Sequence, residues 1–319
     1  MAKLKDKVQN ALDEARLLVL GAQVLLGFEF RSVFESGFER LPTHSRYFKL
    51  VSLTLLLVSL ALLIWPGSYH RIVTKGVDTD EVHQFTSRVM QFALMPFAVA
   101  FGLDLFVAGE RVAGPFVGTG IGAIVTILAF FFWYVLEVYQ RRRHTEGKMS
   151  TKTESPQPRQ TMLRDKIKHV LTEARVVLPG AQALLGFQLI TFLMEGFEKL
   201  PSISRYVHLI SLCLTTASII LLMTPAAYHR IVERGEETEH FHRFASRMLI
   251  AAMAPLAMAV CADFFVVVWS VTKSAEVALV CGAVMLVMFF GLWFGLPSYW
   301  RETEARKHLH RSRAPAVQQ

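Results

Sequence analysis

The sequence predicts an all-α membrane protein with eight transmembrane helices, built as two parallel repeats of four helices each. First, apolar residues make up 53% of the 319 residues and charged residues only 19%, whereas soluble domains carry about 25% charged residues. Second, the apolar residues are grouped into blocks long enough to cross a bilayer core, which takes roughly 20 helical residues. Third, one long pattern of residues occurs twice along the chain.

The repeated pattern is clearest in a polar segment that separates two apolar blocks in each half of the chain. Residues 69–88 read YHRIVTKGVDTDEVHQFTSR, and residues 228–247 read YHRIVERGEETEHFHRFASR. The same offset of 159 positions maps GAQVLLGF at 21–28 onto GAQALLGF at 180–187. Two copies of one unit are therefore joined in a single chain.

The repeats set the predicted domain boundaries. The first membrane repeat covers 1–143 and the second covers 163–303. Between them, residues 144–162 are polar and contain prolines, which predicts a flexible cytoplasmic linker. Residues 304–319 are predicted to form a basic, disordered tail.

Each repeat contains four apolar spans. They are Leu17–Phe34, Phe48–Trp65, Val89–Gly109 and Phe116–Tyr139 in the first repeat, and Val176–Met194, Val207–Met223, Met248–Trp269 and Ala275–Leu296 in the second. Because backbone polar groups cannot stay unpaired in lipid, these spans are predicted to be helices. We expect Pro66 and Pro225 to end the second span of each repeat. An even number of spans returns the chain to its starting side, so the two repeats are predicted to run parallel.

A further helix is predicted before the first span of each repeat. Apolar residues recur there every four positions, at Leu4, Val8 and Leu12 and at Leu163, Ile167 and Leu171. Such a stripe predicts an amphipathic helix on the membrane interface, with its lysines toward anionic lipid head groups.

The basic residues predict the orientation of the chain. The formal charge is +8, and lysines and arginines are concentrated in the N-terminal stretch, the repeated polar segment, the linker and the tail. Because cytoplasmic loops retain Lys and Arg, both termini are predicted to be cytoplasmic. The same distribution favours a membrane protein over a nucleic-acid-binding one, and no nucleic-acid partner is predicted.

Paired histidines in the repeated polar segment are the first candidates for a functional site: His70 with His83, and His229 with His242. Three interpretations remain open: ligation of haem or an inorganic ion, pH sensing at the cytoplasmic mouth, and a structural role through bonds to acidic neighbours. The spacing of 13 residues matches no metal motif, so neither a metal site nor a cofactor is predicted.

Two aspartates are the second candidates. Asp104 and Asp263 lie at equivalent positions inside the third span of each repeat, where an unpaired charge is costly. Arg46 and Arg205 begin the second span from the same side of the membrane. We predict either Asp–Arg pairs that brace two helices or a cation or proton site in an outer vestibule.

The third span of each repeat has a proline in its middle, Pro96 or Pro255, which is expected to kink the helix. Such kinks build binding sites in transporters, and they also serve ordinary packing. Arg88 and Arg247 precede these prolines and are expected at the membrane boundary, where a long cationic side chain reaches water. Glycines recur every four residues in the fourth span, which predicts close packing or a subunit contact, at Gly114, Gly118 and Gly122.

Several motifs carry a resemblance to a known family. They are EARVVLPGAQALLGFQL at 173–189, AAYHRIVERGEETE at 226–239 and FHRFASR at 241–247. On these motifs the chain resembles a family of short bacterial inner-membrane proteins of unknown function. Members of that family resemble one four-span unit, so this chain looks like a tandem fusion of two. The resemblance implies a bacterial inner-membrane location and supplies no activity or catalytic residue.

The function is predicted from the symmetry of the two repeats and from the polar residues inside the apolar spans. No Ser-His-Asp order, HExxH motif or phosphate loop occurs in the sequence, so an enzyme is not predicted. We expect an ion channel or transporter, because two fused repeats that dimerise place four similar units around one axis. A membrane scaffold or assembly factor is the alternative, and a b-type haem protein that uses the loop histidines is a third. The predicted partners are the lipid bilayer and a second copy of the chain.

Overall fold

The computed structural model describes residues 2–75, 77–136, 157–231 and 239–300. Within these ranges all regular secondary structure is helical. The helices of the first repeat are α1 (Ala2–Ser32), α2 (Thr43–Ile72), α3 (Asp80–Ala113) and α4 (Pro115–Phe130). Those of the second are α5 (Gln157–Thr191), α6 (Ser202–Ile231), α7 (Glu239–Thr272) and α8 (Ala275–Phe290). A short helix, Glu195–Glu198, precedes α6, and π-helical turns extend α4 and α8 over Phe131–Val135 and Gly291–Gly295.

Local side-chain chemistry explains several helix ends. The Thr79 hydroxyl oxygen accepts a hydrogen bond from the backbone N–H of Val82 at 3.2 Å and so caps the start of α3. Ser274 caps α8 in the same way through the N–H of Val277 at 3.3 Å. Between α3 and α4 the chain turns at Gly114, whose φ of 90° is a conformation that favours glycine.

Seven of the described helices, α2 to α8, are long and apolar enough to cross a membrane. The chain is therefore a multi-pass membrane protein with an all-α fold. The remaining predicted span, Leu17–Phe34, is helical as far as Ser32, but α1 does not reach the same apolarity. It carries four charged residues between Glu14 and Arg31.

The four helices of each repeat pack in the same way. The first helix contacts the second and the third, the second and third contact each other along their length, and the fourth lies on the third. α4 approaches α3 closely: a Cβ on Gly118 would lie 2.7 Å from the backbone nitrogen of Glu110, and one on Gly122 would lie 2.6 Å from the Gly102 carbonyl oxygen. The close packing predicted from the glycine spacing is thereby confirmed.

The two repeats share one apolar core and contact each other directly, with α1 against α5 and α4 against α6. Trp133 is fully buried in the second contact, and its Nε1 donates to the Ile220 carbonyl oxygen at 3.0 Å. Near the α1–α2 loop, Arg111 Nη2 donates to Glu198 Oε1 at 2.8 Å, and Arg40 pairs with the same carboxylate. These contacts join the repeats at two levels of the bundle.

The prediction of a separate interfacial helix before each repeat is wrong. α1 and α5 are continuous, so each predicted interfacial helix and the span that follows it form one helix. Val8 and Leu12 are buried against Val82 and Tyr69. The apolar stripe of α1 is thus covered by protein, because α2 and α3 extend far enough to reach it. Four other residues of the predicted stripes have side chains outside the described set: Leu4, Leu163, Ile167 and Leu171.

The prediction that Pro66 and Pro225 end the second helix of each repeat is also wrong. α2 and α6 both continue for six residues beyond the proline. Packing after the proline stabilises this extension, since Tyr69 stacks on Phe85 of α3 with ring centres 4.3 Å apart.

The predicted linker lies partly within the described residues. α5 begins at Gln157, so residues 157–162 of that segment are helical. Residues 144–156 and the predicted tail, 304–319, lie outside the described ranges.

Candidate functional site

A lysine is buried between two carboxylates in the first repeat. Lys49 lies in the second turn of α2, and only 1% of its side chain is exposed. Its Nζ donates to the Glu29 carboxylate at 2.6 Å and to Asp104 Oδ1 at 3.0 Å. Glu29 comes from the last turn of α1 and Asp104 from α3, so three helices contribute one charged group each.

A hydroxyl group completes this site, which we call the first polar cluster (Glu29, Lys49, Ser52 and Asp104). Ser52 lies one turn after Lys49 on α2, and its Oγ donates to Asp104 Oδ2 at 2.8 Å. The cation therefore has two carboxylate partners, and Asp104 accepts from both a cation and a hydroxyl. Such pairing is needed, because removing one partner of a buried ion pair leaves a strongly destabilising charge.

The second polar cluster lies at the junction of α5, α6 and α7 and consists of Gln188, His208, Ser211 and Asp263. Gln188 Nε2 donates to Asp263 Oδ2 at 2.6 Å and to Ser211 Oγ at 2.8 Å. His208 Nδ1 lies 3.1 Å from Asp263 Oδ1, and its Nε2 lies 3.1 Å from the backbone oxygen of Gln188. Both nitrogens of the imidazole ring therefore face hydrogen-bond acceptors.

The two clusters occupy equivalent positions in the two repeats. The offset of 159 pairs Glu29 with Gln188, Lys49 with His208, Ser52 with Ser211, and Asp104 with Asp263. The serine and the aspartate are unchanged, whereas the residues on the first and second helices change together. Glutamine removes one negative charge, and histidine replaces a fixed positive charge with one that a proton supplies. By formal charge, each cluster is −1 with its carboxylates ionised and its histidine neutral, and one added proton makes it neutral.

Comparison with known proteins agrees with the two-repeat organisation. The model of a family of unknown function, DUF6328, matches the chain twice, over residues 2–137 and 155–297. The chain belongs to the DUF6328 family. It carries the DUF6328 unit as a tandem pair, which confirms the resemblance found in the sequence motifs. Neither a curated protein nor a solved structure matches the chain.

In the first DUF6328 unit, the predicted aspartate is in the cluster but its predicted partner is not. Asp104 contacts Lys49, whereas Arg46 at the start of α2 is exposed. Lys49 lies three residues further along the helix, which carries it about 4.5 Å deeper. At that depth the side chain faces α3, so the lysine rather than the arginine pairs with the aspartate.

The second DUF6328 unit differs from the prediction in the same way. Asp263 contacts His208 and Gln188. Arg205 is partly buried and donates through Nη2 to Ser202 Oγ at 3.3 Å. The missed signal is a polar residue in the second turn of the second helix of each unit, Lys49 or His208, where an ionisable side chain is a candidate for a functional position.

The loop histidines of the DUF6328 units have separate surroundings. His70 Nε2 lies 3.2 Å from Asp78 Oδ1, the kind of acidic contact that the structural interpretation expects. His83 on α3 and His242 on α7 are partly buried, and the side chain of His229 lies outside the described set. In the described ranges no group of three or more His, Cys, Asp or Glu is placed to hold a metal ion. Haem ligation and pH sensing stay open interpretations.

The other predicted positions lie on the third helix of each DUF6328 unit. Pro96 and Pro255 are inside α3 and α7, which continue through them, and a kink at either stays a prediction. Arg88 and Arg247 are exposed eight residues before these prolines. An exposed cation at that place is compatible with a membrane-boundary position.

Proposed function

We propose that this protein is an ion channel or transporter of the bacterial inner membrane, and that each polar cluster binds and releases one proton as ions move. The observation that carries the proposal is an ionisable cluster at the same place in both repeats, buried in the first and partly buried in the second, where the Asp263 side chain is 21% exposed. Ionisable residues inside membrane segments are costly, and they typically mark ion or proton pathways.

Bracing of helices alone does not account for the chemistry of the clusters. Replacing a buried ion pair with apolar residues of similar volume is often neutral or stabilising. Here two different sets of polar residues are used at the same positions: Lys49 with Glu29, and His208 with Gln188. Their shared property is the capacity to go from a charge of −1 to neutrality with one proton.

The surroundings of His208 support a proton-binding role for the second cluster. Its two ring nitrogens face the Asp263 carboxylate and the Gln188 backbone oxygen. A neutral imidazole has a single N–H, so both bonds form only when the ring carries a proton on each nitrogen. Release of that proton loses one bond, while the Gln188 side-chain amide still donates to Asp263. In the first cluster Lys49 is the fixed cation, and the exchangeable proton belongs to the carboxylates.

The membrane topology is part of the same proposal. α5 is apolar enough to span the bilayer, so we assign its equivalent, α1, as the eighth span. Contacts between the repeats run in the same order along both, from Gly21 near Gln182 to Gly37 bonded to Leu193, which supports parallel repeats. The Lys and Arg distribution then favours cytoplasmic termini. The polar clusters lie toward the opposite, outer side.

A flux assay on the purified chain in proteoliposomes tests the proposal. Gradients of H⁺, K⁺, Na⁺ and Cl⁻ are imposed in turn, and the unaltered chain is expected to move at least one of these ions. The double variant Asp104→Asn, Asp263→Asn is expected to lose most of that flux, because both clusters lose the group that pairs with the cation.

The matched control is the double variant Ser59→Ala, Ser218→Ala. Ser59 Oγ donates to the Ala93 carbonyl oxygen at 3.0 Å, and Ser218 Oγ donates to that of Ala252 at 2.8 Å. The control therefore removes one buried interhelical hydrogen bond per repeat without changing charge, and its flux should persist. Absence of flux for every ion, in a folded chain, would contradict the proposal and favour the scaffold alternative.

A further inference from the structure

The contact between α1 and α5 is not reciprocal. α1 contributes Gly21 and Phe28, whereas α5 contributes Gln182 and Gly186. A Cβ on Gly21 would overlap the Gln182 amide, and a Cβ on Gly186 would overlap the Phe28 ring. One face of α1 is therefore packed against a different face of α5.

Each repeat nevertheless retains the face that it does not use. The equivalents of the four contact residues are Gly180 and Phe187 on α5 and Gln23 and Gly27 on α1. All four are exposed, and Phe187 is 61% exposed although its ring also lies against that of Phe28, with ring centres 4.4 Å apart. Among the described residues, no heavy atom lies within 4 Å of a Cβ built on Gly27 or Gly180. Apart from the ring contact of Phe187 with Phe28, α5 thus presents an exposed copy of the face that α1 uses. α1 presents an exposed copy of the face that α5 uses.

The free face of α1 continues along the helix. Phe30 and Phe34 are 49% and 88% exposed, whereas their equivalents on the α5 side, Leu189 and Leu193, are 2% and 0% exposed. Residues 20, 23, 27, 30 and 34 are three or four positions apart, so they lie along one side of the chain where it is helical. The whole stripe is apolar or small except for Gln23, and in the second repeat the same stripe is buried apart from Pro179, which is partly buried.

The other helices show the same asymmetry. Trp133 is fully buried against α6, where it bonds Ile220, whereas its equivalent Trp293 is partly buried and the equivalent of Ile220, Ala61, is exposed. In the most apolar part of each helix, 67% of the residues of α6 are buried against 28% in α2. Likewise, 67% of these residues are buried in α3, against 28% in α7. The first repeat uses α3 and α4 for the contact, whereas the described parts of α7 and α8 make no comparable contact with the first repeat.

An interface between two different faces of similar units is completed only when a further unit fills each free face, in a closed ring or in a filament. We propose that a second copy of this chain covers the free faces, with α5, α7 and α8 of one chain packed against α1 and α2 of the other. Two chains then close a ring of four repeats, in which two contacts lie within chains and two between them. This docking surface does not depend on ion movement.

Charge at the loops agrees with this arrangement. Within the chain, Arg40 pairs with Glu198. Their equivalents are Lys199 and Glu39, both exposed, so the contact between chains again joins one cation with one carboxylate. Lipid tails also cover apolar surface, but they provide no partner shaped to the glycines of the free faces or charged like Glu39.

Crosslinking between chains tests the docking surface in the membrane. All three native cysteines are replaced by serine, and one chain carries Gly27→Cys while a co-expressed, differently tagged chain carries Phe187→Cys. These positions reproduce the contact of Gly186 with Phe28, so oxidation should give a covalent product containing both tags. A pair that combines Gly120→Cys with Phe187→Cys should give none, because Gly120 lies on the exposed side of α4.

The same surface is tested by measuring the mass of the protein in lipid nanodiscs. The variants chosen place a larger side chain where the single chain has open space. The unaltered chain should give a protein mass twice the 36.0 kDa of one chain. Gly27→Phe and Gly180→Phe should weaken dimerisation roughly tenfold or more, because each overpacks a close glycine contact. Gly120→Phe also has open space at its Cβ and should dimerise normally.

The outcomes are distinct. A single-chain mass with no product joining the two tags overturns the proposal and leaves lipid as the cover of these faces. Masses that keep growing beyond two chains overturn ring closure, since they indicate a filament. If the unaltered chain forms the dimer but moves no ion, the result contradicts the proposed function and leaves the docking surface supported.

Discussion

The two polar clusters differ in their cation, although they share backbone positions, a serine and an aspartate. In the first, Lys49 carries three N–H donors and satisfies two carboxylates. In the second, His208 offers at most two N–H donors and faces one carboxylate and one backbone oxygen. The first helix supplies a second carboxylate, Glu29, where the cation is able to bind two, and a neutral amide, Gln188, where it binds one. The difference indicates that the position on the first helix (29 or 188) and the position on the second (49 or 208) depend on each other. The number of N–H donors on the second helix determines how many carboxylates the cluster holds.

Removing the cation should affect the first cluster most. Lys49→Met leaves two buried carboxylates facing each other and is expected to lower the free energy of unfolding by about 3–5 kcal/mol. His208→Leu leaves Asp263 with the Gln188 amide and should cost only about 1–3 kcal/mol. Unfolding titrations in mixed detergent micelles measure both, and equal losses would refute the comparison.

Converting the first cluster into the second should show that the two positions are coupled. Glu29→Gln and Lys49→His are each expected to destabilise the chain alone, because each leaves the other partner mismatched. Together they should recover about 1–3 kcal/mol relative to the sum of the single changes. A double-mutant cycle provides this coupling energy, and a value near zero would show that the positions are independent.

The shared serine should matter more in the first repeat. Ser52 donates directly to Asp104 at 2.8 Å, and a hydrogen bond to a charged group is worth about 1.5–3 kcal/mol. Ser211 donates to the Ala259 carbonyl oxygen instead, so Ser211→Ala should cost about 1 kcal/mol. The same titrations compare Ser52→Ala with Ser211→Ala, and the opposite order would contradict the assignment of donors.

The smallest effect is expected outside the clusters. Arg46 is exposed, so Arg46→Gln should change the free energy of unfolding by no more than about 0.5 kcal/mol. Its matched comparison is Lys49→Met, one helical turn away. If Arg46→Gln lowered the free energy of unfolding as much as Lys49→Met, the result would support the Asp–Arg pair predicted from the sequence.

Much of the fold was accessible from the sequence, because apolar span length and internal repetition are both local signals. They predicted the repeats and the apolar helices, and the glycine spacing predicted the close approach of α4 to α3. Pro66 and the N-terminal stripe were misjudged for one reason. Residues beyond the apolar blocks, such as Tyr69 and Val8, pack on neighbouring helices and extend the bundle.

The site was predicted only in part. Asp104 and Asp263 were found because a charge inside an apolar block is costly, but their partners depend on helix rotation, which the sequence does not state. Lys49 and Arg46 are both cations near the start of one helix, and only the structure shows which of them faces α3.

Flux of the transported ion through the single variants Asp104→Asn and Asp263→Asn tests the central claim most directly. If both clusters are equivalent proton sites in one ion pathway, each variant should reduce flux in proteoliposomes, and the double variant should lose most of it. Unchanged flux in both single variants and in the double variant would contradict the account, whatever ion the chain moves.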